Sequence, residues 1–177
     1  MTYTQHYDSP LGGILLAGDD VGLTGLWFDG QKYFARGLSN ERIEQETSVL
    51  AEAKRWLDIY FTGKEPDFTP PLHPIGSAFR RSVWEILLQI PYGQTTTYGE
   101  IARQLAKKQG LDRMSAQAVG GTVGHNEISI IIPCHRVVGA DGSLTGYAGG
   151  IGKKEKLLEL ERADMRRFFL PKKGTAL

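Results

Sequence analysis

Residues 66–76 read Pro-Asp-Phe-Thr-Pro-Pro-Leu-His-Pro-Ile-Gly, four prolines in eleven positions. Proline fixes φ and carries no N–H, so neither a helix nor an inner strand can run through such a stretch. It reads as a stiff connector. A chain of 177 residues is thereby divided into an N-terminal domain over 1–65, a linker over 66–76 and a second domain over 77–165. Residues 166–177, with Arg166-Arg167 and Lys172-Lys173, are expected to form a flexible basic tail.

The two parts differ in pattern. Thr2–Tyr7 alternates, Gly12–Gly18 is a short apolar run, and Gly22–Phe28 follows after Asp19-Asp20; three short strands in an antiparallel meander are expected. Leu50, Ala53, Trp56, Leu57 and Tyr60 recur at helical spacing behind Thr47-Ser48, which predicts a helix over 47–61. Beyond the connector the pattern is helical: residues 77–89, 98–106 capped by Thr97, 116–123 capped by Ser115, and 153–162. The two short helices, 98–106 and 116–123, satisfy the needs of a helix-turn-helix. One side of the second is unusually small, with Ala116, Ala118, Gly120 and Gly121. Two readings of it stay open: close approach to a DNA groove, or tight helix packing inside the domain.

Charge is also split. Residues 1–77 hold six Lys/Arg against eleven Asp/Glu, whereas residues 78–177 hold fifteen against nine. A basic second half favours an anionic partner, with nucleic acid the first candidate. No apolar stretch reaches the roughly 18–20 residues of a membrane span, and the first residues lack a signal-peptide pattern. No membrane association is expected, and a cytoplasmic location is.

The chain has a single cysteine, Cys134, in Pro133-Cys134-His135-Arg136 after the strand-like run Ile128–Ile132. It cannot form an internal disulfide. An imidazole and a guanidinium follow it directly, and both favour the thiolate, the nucleophilic form. The alternative is a buried cysteine that acts as a small hydrophobe.

At these residues the sequence resembles a known family. Ile131-Ile-Pro-Cys-His-Arg-Val-Val138, with Tyr92–Ala102, Ala118-Val-Gly-Gly121, Asn126 and Gly146-Tyr-Ala-Gly-Gly150, is similar to the O6-alkylguanine-DNA alkyltransferases, or methylated-DNA–protein-cysteine methyltransferases. The resemblance implies an α+β protein: a small N-terminal ribonuclease-H-like α+β domain, then a helical, winged-helix-like DNA-binding domain. It implies DNA repair by direct, stoichiometric transfer of an alkyl group from O6 of guanine to the cysteine, with the base flipped out of the helix. No cofactor is implied. The implied partner is double-stranded DNA containing O6-alkylguanine, with O4-alkylthymine a second candidate, and a monomer is expected.

Site residues follow from the same resemblance. Cys134 is the alkyl acceptor, and His135 acts on it through a bridging water. Glu161 orients His135, and Asn126 ties the recognition helix to the cysteine turn. Tyr98, Gln117, Ala118, Gly120, Gly121, Arg136, Tyr147, Ala148 and Gly149 form the substrate and DNA-binding set, with Gly150 in the same loop and Arg136 a brace of the fold rather than a reacting group. Two positions depart from the usual pattern: Gln117 stands where an arginine fills the hole left by the flipped base, and Ala148 where many members carry serine. No Cys/His cluster in residues 1–77 suggests a metal site. The alternative function is a non-catalytic binder of alkylated DNA that recruits other repair factors, and Cys134 argues against it.

Overall fold

The structure is a computed structural model and describes residues 1–171. The chain forms two compact units: residues 1–75 together with 127–131, and residues 76–126 together with 132 onward.

In the first unit, β1 (Thr2–Ser9), β2 (Gly12–Gly18) and β3 (Leu23–Phe28) form the expected antiparallel meander. A short β4 (Arg42–Glu44) adds in parallel to β1, giving the order β3-β2-β1-β4. Its three residues are all exposed, so it carries no apolar signal that a sequence reading could use. Helix α1 (Ser48–Tyr60) is capped by Thr47, whose side chain accepts from Leu50 N. It buries Leu50, Ala53, Trp56, Leu57 and Tyr60, the stripe that its spacing predicts.

The proline-rich stretch is more than a spacer. Leu23 N donates to Pro71 O and His73 N to Leu23 O, both at 2.8 Å, and His73 Nδ1 lies 2.7 Å from Asp19 Oδ2. Prolines are tolerated there because the stretch lies along a sheet edge. The same strand holds residues 127–129: Leu26 N donates to Glu127 O at 2.8 Å, Ser129 N to Leu26 O at 3.0 Å, and Trp27 Nε1 to Glu127 Oε2 at 2.6 Å. Two irregular segments thus cover what would be a bare sheet edge. The expected strand over 128–132 does not form. Ile128 makes an isolated bridge, and the chain then turns, with Ile130 at φ 69°, an outlier for a β-branched residue.

In the second unit, α2 (Ala78–Leu88) is capped by Ser77 and buries Val83, Trp84, Ile86 and Leu87. Then come β5 (Thr96–Thr97), α3 (Tyr98–Gln109), α4 (Ala116–Gly124), β6 (Val137–Val138) and α5 (Ile151–Leu160). Thr97 and Ser115 cap α3 and α4 as expected, and Gly110 ends α3 in the left-handed region at φ 69°. Strands β5 and β6 pair in parallel, Thr96 with Val137 and Thr97 with Val138. The residue that caps the helix-turn-helix is therefore tied to the segment just after the cysteine turn.

The described part of the tail pairs with the loop after β6. Leu144 N donates to Phe169 O at 3.0 Å, Phe169 N to Gly142 O at 3.1 Å, and Phe168 packs on Val138, Leu144 and Leu158. Two aromatic residues beside the arginines supply an anchor that charge alone conceals. Lys172-Lys173 lie outside the described residues. No helix among the described residues is long and apolar enough to cross a membrane.

Candidate active site

Cys134 opens a single 3-10 turn, Cys134–Arg136, between Pro133 and β6. Cys134 keeps 6% of its surface and His135 none, so both side chains are buried in the unit.

His135 and Arg136 both turn to Glu161, the residue just past α5. His135 Nε2 donates to Glu161 Oε2 at 2.6 Å, Arg136 Nε to Oε1 at 2.8 Å and Nη2 to Oε2 at 3.1 Å. Gly93 N also donates to Oε1, at 3.1 Å, and Arg136 Nη1 to Ile90 O at 2.7 Å. Burial pushes the Glu161 carboxyl up, but the hydrogen bonds and charges of His135 and Arg136 outweigh it and hold the group well below the usual carboxylate range. Burial holds the His135 imidazole below its ordinary value. The ring is then neutral, Nε2–H points at the carboxylate, and Nδ1 is left as an acceptor that no polar group among the described residues meets.

The expectation that His135 and Arg136 make the resting sulfur a thiolate is corrected by this arrangement. Arg136 belongs to Glu161 and Ile90, and the residue is 7% exposed. It braces the turn and does not join the DNA-contacting set. Burial pushes the Cys134 thiol up; the Asn126 amide, the Lys154 ammonium and the N–H groups of Cys134 and His135 pull it the other way. Burial wins, so the resting group is the thiol.

Asn126 Nδ2 donates to Ile132 O at 2.8 Å, and its side chain bonds the thiol. It follows directly on the end of α4, so the helix and the turn share one amide. Tyr98 O–H donates to Thr145 O at 3.2 Å, and burial above all pushes its phenol up to about 12, which keeps it a donor. Tyr147 is buried, and its ring stands edge-on to His135, with centroids 6.4 Å apart. Ala148 and Gly149 are half-buried and follow it. Gln117 and Ala118 are exposed, and Gly121 faces open space. Gly120 is buried on the other side of α4, so it does not belong to that outer face.

Lys154 is the functional candidate that sequence reasoning missed. It is fully buried on α5, and its Nζ donates to Val137 O and Thr145 O, each at 2.5 Å. Position supplied a signal. Lys154, Leu157, Leu158 and Glu161 share one helical stripe, and an ionisable residue on an apolar stripe marks a buried charge. Among the described residues no group of three or more His, Cys, Asp or Glu stands close enough to hold a metal ion.

Gly93 sits at φ +78°, and a Cβ there would stand 2.9 Å from Glu161 O. Gly93→Ala should therefore lose about 1–3 kcal/mol, read as a lower urea midpoint. An unchanged midpoint would show that the turn over Glu161 adjusts freely.

Two family models match this chain: the ribonuclease-like domain of 6-O-methylguanine DNA methyltransferase over residues 2–74, and its DNA-binding domain over 78–163. The chain belongs to the 6-O-methylguanine DNA methyltransferase family. The methylated-DNA–protein-cysteine methyltransferase of Methanosarcina acetivorans is 44% identical over 160 residues, covering 90% of this chain and 97% of that one. That of Mycobacterium leprae is 43% identical over 162 residues, covering 92% and 93%. The crystal structure of Mycobacterium tuberculosis OGT in complex with DNA superposes with a TM-score of 0.77 at 41% identity and 94% coverage of both chains. Family membership accounts for both units, a ribonuclease-like sheet unit and a helical DNA-binding unit that carries the cysteine.

Proposed function

We propose that this protein repairs DNA by transferring an alkyl group from O6 of guanine to Cys134 Sγ, once per molecule. The observation that carries this reading is the lone Cys134, bonded by Asn126 and followed by a neutral His135 anchored on a buried Glu161, in a chain that matches protein-cysteine methyltransferases over nine-tenths of its length.

The chemistry follows from those groups. His135 Nδ1 takes the thiol proton through a bridging water, and Glu161 stabilises the imidazolium so formed. The thiolate attacks the alkyl carbon, the carbon–oxygen bond breaks, and its electron pair passes to guanine O6. The guanine anion then takes up one proton to restore the normal base. Water does not displace a thiolate from the carbon–sulfur bond of a thioether, so the sulfur is not regenerated.

The O6 edge of guanine faces the major groove of the stack. Attack along the carbon–oxygen axis requires the nucleotide to be rotated out. Gln117, Ala118 and Gly121 on the outer face of α4 approach the duplex. Gln117 hydrogen-bonds the orphaned cytosine in place of the usual arginine, and Tyr98, Tyr147, Ala148 and Gly149 border the flipped base. With alanine at 148, backbone N–H groups serve O6.

Incubation with duplex DNA holding O6-methylguanine should add one methyl, about 14 Da, to the peptide bearing Cys134, as read by mass spectrometry. At most one alkyl should leave the DNA per protein molecule. An unmodified peptide alongside tight binding would favour the non-catalytic binder.

A further inference from the structure

Lys154 holds a charge that the proposed mechanism does not use. A buried ammonium is costly unless an anion or a full set of acceptors compensates it. Its hydrogen bonds go to two neutral carbonyls, Val137 O and Thr145 O, and among the described residues no carboxylate reaches it. Glu161 lies on the same helical stripe but is engaged by His135, Arg136 and Gly93.

The two carbonyls locate the charge. Val137 is three residues past Cys134, in the strand that leaves the cysteine turn. Thr145 begins the loop that carries Tyr147, and its carbonyl also accepts from Tyr98 O–H. Lys154 therefore ties the strand that leaves the cysteine turn to the loop that carries Tyr147.

We propose that Lys154 is the built-in countercharge of Cys134: its ammonium, held rigid by Val137 O and Thr145 O, stabilises the thiolate that forms as the thiol is deprotonated. The inference rests on Cys134 as the nucleophile. The ionisable groups facing this pair are His135 from the cysteine turn and Tyr98 from α3. His135 is neutral and Tyr98 protonated, so neither supplies the positive charge. Arg136 has a carboxylate of its own. The electrostatic pull between Lys154 and Cys134 is mutual, and burial, offset in part by that pull, brings the lysine down to about 8, which leaves it charged at neutral pH.

The test follows thiol ionisation in the full-length protein without DNA, so its outcome is independent of whether repair occurs. The readouts are the ultraviolet absorbance of the thiolate against pH and the rate of modification by iodoacetamide. Lys154→Met should raise the ionisation midpoint by about one unit or more, a roughly tenfold loss of thiolate at neutral pH. Lys154→Gln, which keeps an N–H donor but no charge, should behave the same. Lys154→Arg should stay near the parent. A Gln variant that titrates like the parent would reduce Lys154 to a hydrogen-bonding strut and overturn the proposal. If the neutral variants do not fold, the reciprocal measurement decides in the parent. By linkage, blocking Cys134 as a methyl disulfide should lower the Lys154 titration midpoint, followed by NMR at its ε-carbon. Equal midpoints in the free and blocked protein would overturn it.

Discussion

Glu161→Ala should lower folding stability by about 3–5 kcal/mol, the cost of removing one partner from a buried ion pair. Glu161 is 2% exposed and its carboxylate accepts from His135, Arg136 and Gly93, so its loss strands a guanidinium, an imidazole and a backbone N–H in one place. Urea unfolding would measure it, and a loss below about 1 kcal/mol would place the site among exposed pairs. Alkyl transfer should fall as well, because His135 loses the group that fixes its tautomer. A double variant, Glu161→Leu with Arg136→Met, separates the effects: apolar replacement of both partners should recover much of the stability and none of the transfer rate.

The same variant should reshape the acid limb of the stability curve. Glu161 has a lower pKa in the fold than in the unfolded chain. Its contribution is full above about pH 4.3, the ordinary glutamate value, and fades as pH falls below that. His135 is also lowered in the fold, so below about pH 6.5 the unfolded chain binds its proton first. Both groups weaken the fold on acidification, the histidine from about pH 6.5 downwards and the carboxylate below it. Glu161→Ala should remove the lower step.

The meander and the first four helices were legible because each has its own periodicity, and each of those helices its own cap. Thr47, Ser77, Thr97 and Ser115 each accept an N–H in the first turn of the helix they precede. β4 was not legible: its three exposed residues are recruited by the edge of β1 and not by burial. The run Ile128–Ile132 misled for a related reason. Its apolar character marks burial, which any backbone shape can satisfy, and here the chain turns at Ile130 and not at Pro133. Within the site, Cys134 stood out by chemistry, but its environment did not. Adjacency to His135 and Arg136 suggested two cations on the sulfur, whereas a 3-10 turn sends both side chains to a carboxylate 25 residues further along the chain. The buried cation that we propose for the sulfur is Lys154, and only the helical stripe it shares with Leu157, Leu158 and Glu161 hinted at its burial.

Cys134→Ser should abolish alkyl transfer while leaving DNA binding nearly intact. The substitution preserves shape and a polar hydrogen, but a hydroxyl in this buried setting is far harder to ionise than a thiol and is a weaker nucleophile toward carbon. Loss of a nucleophile from a preorganised site costs roughly four orders of magnitude or more in rate, so single-turnover transfer should drop below detection. The surfaces assigned to the duplex, Gln117, Ala118 and Gly121 on α4, do not include the sulfur. Affinity for DNA holding O6-methylguanine should stay within about threefold of the parent, less than 1 kcal/mol, and should fall with added salt in both proteins as phosphate contacts release counterions. Transfer that persists in the serine variant would remove Cys134 from the reaction. Binding lost together with transfer would instead mean that the thiol shapes the recognition surface, so that recognition and chemistry are not separable in this protein.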